Sequence, residues 1–167
     1  MSRTSLDHWQ CSVARSADIL GDKWTLMILR DAFYGLTSFS QFERNLKLAK
    51  NILSDRLEKL VEAGILQRVR TKPGVDRYRY VLSDAGRDLF PVVVALMQWG
   101  DRWVFAEEGE PVRLVDRESG KPIERIEVTS SRDGRRLAAR DVTFEPGPSA
   151  APELVAWHRR LQEASTD

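Results

Sequence analysis

The chain has 167 residues, of which 42% are hydrophobic and 31% are charged, and its formal net charge is +1. The length suits one domain with an appendage. The composition indicates a folded chain, because disordered chains combine low hydrophobicity with high net charge. The most apolar stretch, LFPVVVALMQW, is shorter than the roughly 20 residues that span a bilayer. The N-terminus lacks the apolar segment of a signal peptide. We therefore expect a cytoplasmic protein without membrane contacts.

The sequence contains one cysteine, Cys11, and two histidines, His8 and His158. A single cysteine excludes a disulfide within the chain and suits a reducing compartment. The three residues do not have the spacing of a zinc site, and no nucleophile–base motif or phosphate-binding loop can be recognised. We expect no catalytic residue, no metal and no cofactor, so the chain is not expected to be an enzyme.

Four helices are predicted in the first part of the chain. Gly21 ends the first, CSVARSADIL, and Asp22 can cap the second, KWTLMILRDAF, whose apolar pattern predicts the centre of the domain. The third, SFSQFERNL, is expected to be capped by Ser38 or Ser40. The fourth, AKNILSDRLEKLVEA, ends at Gly64. Its apolar stripe is formed by Leu53, Leu57, Leu60 and Val61.

A hairpin and a long helix are predicted next. ILQRVRT and RYRYVLS alternate apolar and polar residues, and KPGVD between them has the composition of a turn. Ser83 is expected to cap DAGRDLFPVVVALMQWGDRWVFAE, a helix that Pro91 kinks or loosens. Two short helices joined by a tight turn and followed by a hairpin describe a winged helix-turn-helix. The predicted fold class is thus mainly α with a small β-hairpin (α+β), with this domain over residues 1–106.

The composition changes after Ala106. Short alternating runs lie at Val112–Val115 and Ile123–Val128, with a third candidate at Val142–Phe144, and Gly-containing turns separate them. They predict a small β appendage over residues 107–147. A linker and an amphipathic C-terminal helix, ELVAWHRRLQEA, are expected within residues 148–167.

Three segments resemble the HxlR family of bacterial winged helix-turn-helix transcriptional regulators. They are CSVARSADILGDKWTLMILRDAFYG, FERNLKLAKNILSDRLEKLVEAGIL and RYRYVLSDAGRDLFPVVVALMQWGDRW, in family order, and they extend from Cys11 to Trp103. The resemblance implies a homodimer on double-stranded operator DNA, with the interface built by the N-terminal helix and the last helix of the winged domain. It also implies a sensory role for a cysteine at the position of Cys11, as in some members.

The sequence departs from the family at two places. Lys47 occupies the turn before the fourth helix, where the family usually has glycine, so a positive φ there would strain it mildly. The appendage resembles the tail of some relatives in which paired cysteines suggest a zinc ribbon. Here the corresponding turns, ESGK and TSSRDG, contain no cysteine, and we expect a metal-free appendage.

The fourth helix lies where a recognition helix lies, and polar residues cluster at its start. Lys, Asn and Ser side chains can contact base edges or phosphates, whereas the later outward residues, Glu58 and Glu62, suit solvent. The alternative is ordinary polar surface, and Arg56 could instead reach an internal carboxylate. The predicted contacts are Lys50, Asn51, Ser54, Asp55 and Arg56.

Residues 67–80 contain five basic residues and one acidic residue. Such a stripe can lie along the DNA backbone or in the minor groove as a wing, and alternation places Arg68, Arg70 and Lys72 on one side of their strand. The alternative is a solvated hairpin face. The predicted wing contacts are Arg70, Lys72, Arg77 and Arg79.

An apolar stripe on the long helix after the hairpin predicts a dimer interface, since such stripes form cores or interfaces more often than ligand cages. We expect the interface at Val13, Leu96, Trp99 and Trp103.

Cys11 lies at a helix start, where amide groups, the helix dipole and Arg15 favour the thiolate. Its alternative role is a small residue packed under the dimer seam.

Together these features predict a dimeric, sequence-specific DNA-binding transcriptional regulator that responds to oxidants or electrophiles through Cys11, and a repressor is favoured over an activator. One alternative is a regulator that responds to a non-covalent small-molecule effector. Another is a winged-helix protein-interaction module that does not bind DNA.

Overall fold

The computed structural model describes residues 5–71 and 77–164, and it confirms a mainly helical fold with one antiparallel hairpin. The elements, in chain order, are α1 (Ser12–Leu20), α2 (Lys23–Phe33), α3 (Phe39–Leu46), α4 (Lys50–Glu62), β1 (Leu66–Arg70), β2 (Tyr78–Leu82), α5 (Asp84–Arg87), α6 (Phe90–Trp103) and α7 (Pro152–Ala164). Within the described residues, no helix is both long and apolar enough to cross a membrane.

The described chain divides into two compact units. One comprises residues 19–126, and the other comprises residues 5–18 together with 127–164. The domain boundaries predicted after residues 106 and 147 remain predictions.

The helix boundaries follow from local chemistry. The Asp22 carboxylate caps α2 by accepting hydrogen bonds from the amides of Trp24 and Thr25 at 2.9 and 3.4 Å. Ser38 caps α3 in a capping box with Gln41, so the first of the two predicted cap residues is used. Gly64, with φ of +70°, follows α4 and ends it as predicted.

The core of the unit of residues 19–126 is built by α2 together with α3 and α4, the two helices of the predicted helix-turn-helix. Ile28, Leu29, Phe42, Leu53 and Leu57 are fully buried, and they join α2, α3 and α4 in one apolar cluster. Because close-packed interiors resist rearrangement, burial of these side chains fixes the orientation of α4 relative to α2 and α3.

Strands β1 and β2 pair antiparallel, with Leu66 opposite Leu82 and Arg70 opposite Tyr78. The segment before α3 adds one bridge to the outer side of β2, between Ser38 and Arg79, and the Thr37 carbonyl accepts a hydrogen bond from the Tyr80 amide at 2.7 Å. The hairpin is therefore anchored to the start of α3. The predicted KPGVD turn lies outside the described residues.

The long helix predicted after Ser83 is two helices. α5 ends at Arg87, and α6 begins at Phe90 with Pro91 in its first turn. Proline lacks an amide hydrogen and clashes with the preceding turn, but it fits the first turn of a helix. Pro91 thus starts α6 instead of kinking one continuous helix.

The segment predicted as a β appendage forms two tight turns, each closed by one isolated bridge, instead of extended strands. The bridges join Val115 with Pro122 and Thr129 with Arg136. In the first turn, the Asp116 carboxylate accepts hydrogen bonds from the amides of Ser119 and Glu118. These bonds, of which that from Ser119 has the largest effect, hold the pKa of the Asp116 carboxyl below its usual value. The apolar runs are short and largely exposed, so the isolated bridges are not extended into ladders.

Candidate DNA-binding surface

Helices α3 and α4 are joined by a tight turn through Lys47, which has φ of +51° and ψ of +37°. The Lys47 amide donates to the Glu43 carbonyl at 2.9 Å and closes α3. Ala49 at the start of α4 has no side-chain acceptor. The first amides of α4 are therefore open to an acceptor outside the chain, such as a phosphate oxygen.

The first outward turn of α4 is exposed and largely free. Asn51 and Ser54 are exposed, and among the described residues neither makes a side-chain hydrogen bond. Lys50 is 78% exposed, with its ammonium 3.8 Å from the Glu43 carboxylate. These three predicted contacts thus lie together at the start of α4 and point away from the core.

Two predicted contacts of α4 are engaged within the protein. The Asp55 carboxylate accepts hydrogen bonds from Arg56 and Lys59, both at 3.0 Å. Arg56 Nε lies 3.1 Å from Asp22 Oδ1, at an angle outside hydrogen-bond geometry, so that contact is ionic. Of the two roles open to Arg56, the structure favours the internal carboxylate, and Arg56 links α4 to the cap of α2.

The wing residues divide between the two faces of the hairpin. Arg70 Nε donates to the Tyr78 hydroxyl at 3.3 Å, whereas Arg79 Nε donates to Thr37 Oγ1 at 3.1 Å on the side of α3. Arg77 is exposed. Lys72 lies outside the described residues.

An open groove of about 870 Å³ runs between the start of α3 and β2. Its lining includes Arg44, Arg77 and Arg79, together with the hydroxyl groups of Ser38 and Ser40. Cationic and hydroxyl side chains of this kind contact nucleic-acid phosphates. Arg44 was not among the predicted contacts, and its basic side chain in the last turn of the predicted third helix was the available signal.

Asp31 is a second residue of the site that was not predicted. Its carboxylate is fully buried and accepts hydrogen bonds from Arg30 Nη2 and Asn45 Nδ2, both at 2.7 Å. The contact joins α2 to α3 and so supports the first helix of the helix-turn-helix. A charged residue inside the apolar KWTLMILRDAF pattern was the available signal.

The residues predicted for the interface and for sensing are exposed. Cys11 directly precedes α1, and its carbonyl accepts a hydrogen bond from the Arg15 amide at 3.0 Å. The Arg15 side chain itself donates to the Trp9 carbonyl at 3.1 Å. The exposed fractions of the predicted interface residues are 77% for Val13, 49% for Leu96, 57% for Trp99 and 62% for Trp103.

A helix-turn-helix with an exposed polar start to its second helix, followed by a basic hairpin, defines the class of winged helix-turn-helix proteins. The chain belongs to the HxlR-like helix-turn-helix family, whose model matches residues 19–108. It is a transcriptional regulator with a helix-turn-helix domain, and its relatives confirm the prediction that it is not an enzyme.

The chain is similar to an uncharacterised HTH-type transcriptional regulator of Mycobacterium tuberculosis, with 41% identity over 145 residues, 87% of this chain and 91% of the relative. Among solved structures, it is similar to PA1607, a candidate transcription factor, with 46% identity and a TM-score of 0.81 over 86% of this chain and all of that one. It is also similar to the redox regulator HypR in its reduced form, with 26% identity and a TM-score of 0.52 over 57% of this chain and 98% of that one.

Proposed function

We propose that this regulator binds operator DNA as a homodimer in the cytoplasm, blocks transcription by occupying promoter DNA, and releases the DNA when Cys11 is modified. The observation that carries the DNA-binding part is the start of α4. Asn51 and Ser54 are exposed and unpaired among the described residues, next to a helix end without a side-chain cap. Side chains placed in this way can enter the major groove and reach base edges.

The test begins with genome-wide mapping of bound sites, which supplies an operator. On that operator, Asn51→Ala should weaken binding by about 1–3 kcal/mol and relax the preference at one base position, because Asn can pair with adenine through two hydrogen bonds. Glu58→Ala, on a later outward turn of the same helix, is the control and should bind as wild type does. Unchanged operator preference in Asn51→Ala would remove Asn51 from the base-reading set.

Support for the homodimer comes from α6. Leu96, Trp99 and Trp103 are about half exposed or more, although large aromatic side chains are normally buried or engaged at interfaces. A two-fold dimer places two copies of α4 on successive turns of one face of the DNA. Half-sites should therefore lie about 10 base pairs apart, or a multiple of that.

Support for sensing by Cys11 comes from its exposure and its place at the start of α1. A similar protein, HypR, is named as a redox regulator. With a quinone, the thiolate adds to a ring carbon, an S–C bond forms, and proton uptake leaves a hydroquinone adduct on Cys11. With an oxidant, two Cys11 thiols of different protomers lose two electrons and two protons and form a disulfide.

The sensing proposal is tested by comparing wild type with Cys11→Ser, each with and without a quinone. Modification of the wild type should lower operator affinity, because an adduct or a bond near a dimer seam can move one winged domain relative to the other. Cys11→Ser should bind equally under both conditions. Equal binding by both proteins under both conditions would make Cys11 structural.

A second candidate signal is a non-covalent ligand. A cavity of about 170 Å³ lies between α6 and the segment that follows it. Its lining combines apolar residues with Gln98, Asp101 and the ion pair of Glu110 and Arg113. Small-molecule sites are mostly apolar with a few polar groups. This candidate predicts that Cys11→Ser still releases the operator when the ligand is present.

A further inference from the structure

The hairpin carries two arginines that share one aromatic partner. Arg68 and Arg70 lie two residues apart on β1, opposite Tyr80 and Tyr78 respectively, and therefore on one face of the hairpin. The Arg68 guanidinium lies 3.8 Å from the centre of the Tyr78 ring, and that of Arg70 lies 5.7 Å from it. Arg70 Nε also donates to the Tyr78 hydroxyl at 3.3 Å.

These two cations have no acidic partner among the described residues. No carboxylate of residues 5–71 or 77–164 forms a salt bridge with Arg68 or Arg70. Two like charges held beside one ring, with no counterion among residues 5–71 and 77–164, are complementary to an anion such as a phosphodiester.

We infer that Tyr78 is a positioning residue that holds Arg68 and Arg70 as a phosphate-binding pair, and that Arg68 contacts the DNA backbone. The inference rests on the proposed DNA binding. An arginine side chain loses much rotamer freedom when it binds. Stacking on Tyr78 restricts Arg68 before DNA arrives, and the hydroxyl does the same for Arg70, so less freedom is lost on binding.

Arg79 belongs to a different contact. Its guanidinium donates to Thr37 on the side of α3. Arg79 lies opposite Val69 in the hairpin, so its side chain is on the face opposite to Arg68 and Arg70. Tyr78 is therefore expected to act on Arg68 and Arg70 without acting on Arg79.

The experiment measures binding to a mixed-sequence DNA duplex by fluorescence anisotropy over a range of salt concentrations, because backbone contacts do not depend on sequence. Tyr78→Leu should weaken binding about three- to tenfold at low salt, the range of one cation–π contact. Arg68→Ala should reduce the salt slope by about 0.9, the value for one lost phosphate contact. Tyr34→Leu is the matched control, because Tyr34 has a comparable contact with Arg30 on α2.

Combined variants separate positioning from a structural role. In Arg68→Ala/Arg70→Ala, a further Tyr78→Leu should change nothing, since both partners are gone. Tyr78→Phe keeps the ring and the fold but loses the hydroxyl, so it should weaken binding in the presence of Arg70 and have no effect in Arg70→Ala. This variant decides the matter if circular dichroism shows that Tyr78→Leu disturbs the hairpin.

The inference is overturned if Tyr78→Leu, with the hairpin intact, binds as wild type does. It is also overturned if Tyr78→Phe loses as much affinity in Arg70→Ala as in the wild type. Wild-type protein that does not bind the duplex at low salt would contradict the proposed function, and this inference with it. Normal binding by the wild type together with neutral Tyr78 variants would contradict the inference alone.

Discussion

Gly86 lies in α5 where the chain passes against the end of α4. A Cβ atom at this position would lie 2.2 Å from the Ile65 carbonyl oxygen, and the Gly86 amide donates to Ser83 Oγ, which itself donates to the Ile65 and Gly64 carbonyls. The clash is with backbone, so no side-chain rotation can relieve it. Any side chain at this position must push α5 away from the start of β1.

We predict that Gly86→Ala lowers the free energy of unfolding by about 2 kcal/mol or more, the range of overpacked sites. Urea denaturation measures it. Gly100→Ala is the control, because a Cβ at Gly100 in α6 meets nothing within 4 Å. That change should be neutral or stabilise by about 0.5–1 kcal/mol. Equal stability of Gly86→Ala and wild type would contradict the close approach.

Lys47 has the left-handed backbone that a β-carbon disfavours. Lys47→Gly should therefore raise the free energy of unfolding by about 0.5–1 kcal/mol, after allowance for the greater freedom of glycine in the unfolded chain. Lys47→Ala keeps the β-carbon and should leave stability almost unchanged. A destabilised Lys47→Gly protein in the same denaturant titration would mean that the turn is not strained.

At the scale of elements, α2 and α3 are joined by a buried carboxylate. Asp31→Ala leaves the partly exposed Arg30 guanidinium and the Asn45 amide without their partner, so we predict a loss of about 2–3 kcal/mol in the free energy of unfolding, the upper range for an unsatisfied buried hydrogen-bonding group. Asp55→Ala removes a half-exposed carboxylate from Arg56 and Lys59 on α4 and should change stability by about 1 kcal/mol or less. Thermal unfolding followed by circular dichroism compares the two. Similar shifts for both variants would contradict the assigned role of Asp31.

The elements could be predicted from the sequence where a local signal acted alone. The cap at Asp22, the stop at Gly64 and the alternation around the hairpin turn gave α2, α4 and the β strands nearly as observed. The break before Pro91 was harder to place, because proline can kink a helix or begin one. In the structure, α5 is held ahead of Pro91 by the close approach of Gly86 to the Ile65 carbonyl and by the Ser83 hydrogen bonds, and tertiary contacts of this kind leave no local signal in the sequence.

The candidate site was only partly predictable, since helical periodicity shows which residues face outward but not what they meet. Asn51 and Ser54 are exposed as expected. The pairing of Arg56 with Asp22 joins residues far apart in the chain, and the stacking of Arg68 on Tyr78 depends on the hairpin register. Contacts of this kind are set by the tertiary fold and leave no periodic signal.

At the scale of the whole molecule, we predict that the exposed face of α6 forms the homodimer interface. Trp99→Ala should weaken the homodimer about 10- to 100-fold, because large aromatic residues near the centre of an interface contribute most of its affinity. Trp157→Ala, a half-exposed tryptophan on α7, is the control and should leave the dimer intact. Sedimentation at several concentrations measures both. Wild type that is monomeric at micromolar concentration would rule the dimer out.

The central claim is that this chain binds DNA through α4 and the wing, and the salt dependence of operator binding tests it most directly. Each phosphate contact releases counterions, so the logarithm of the association constant should fall linearly with the logarithm of salt concentration, by about 0.9 per contact. Arg70→Ala should reduce that slope by about 0.9, the value for one phosphate contact. Arg132→Ala, in an exposed turn outside the winged domain, should leave the slope unchanged. An affinity that does not depend on salt, or the absence of binding to any mapped site, would contradict the account.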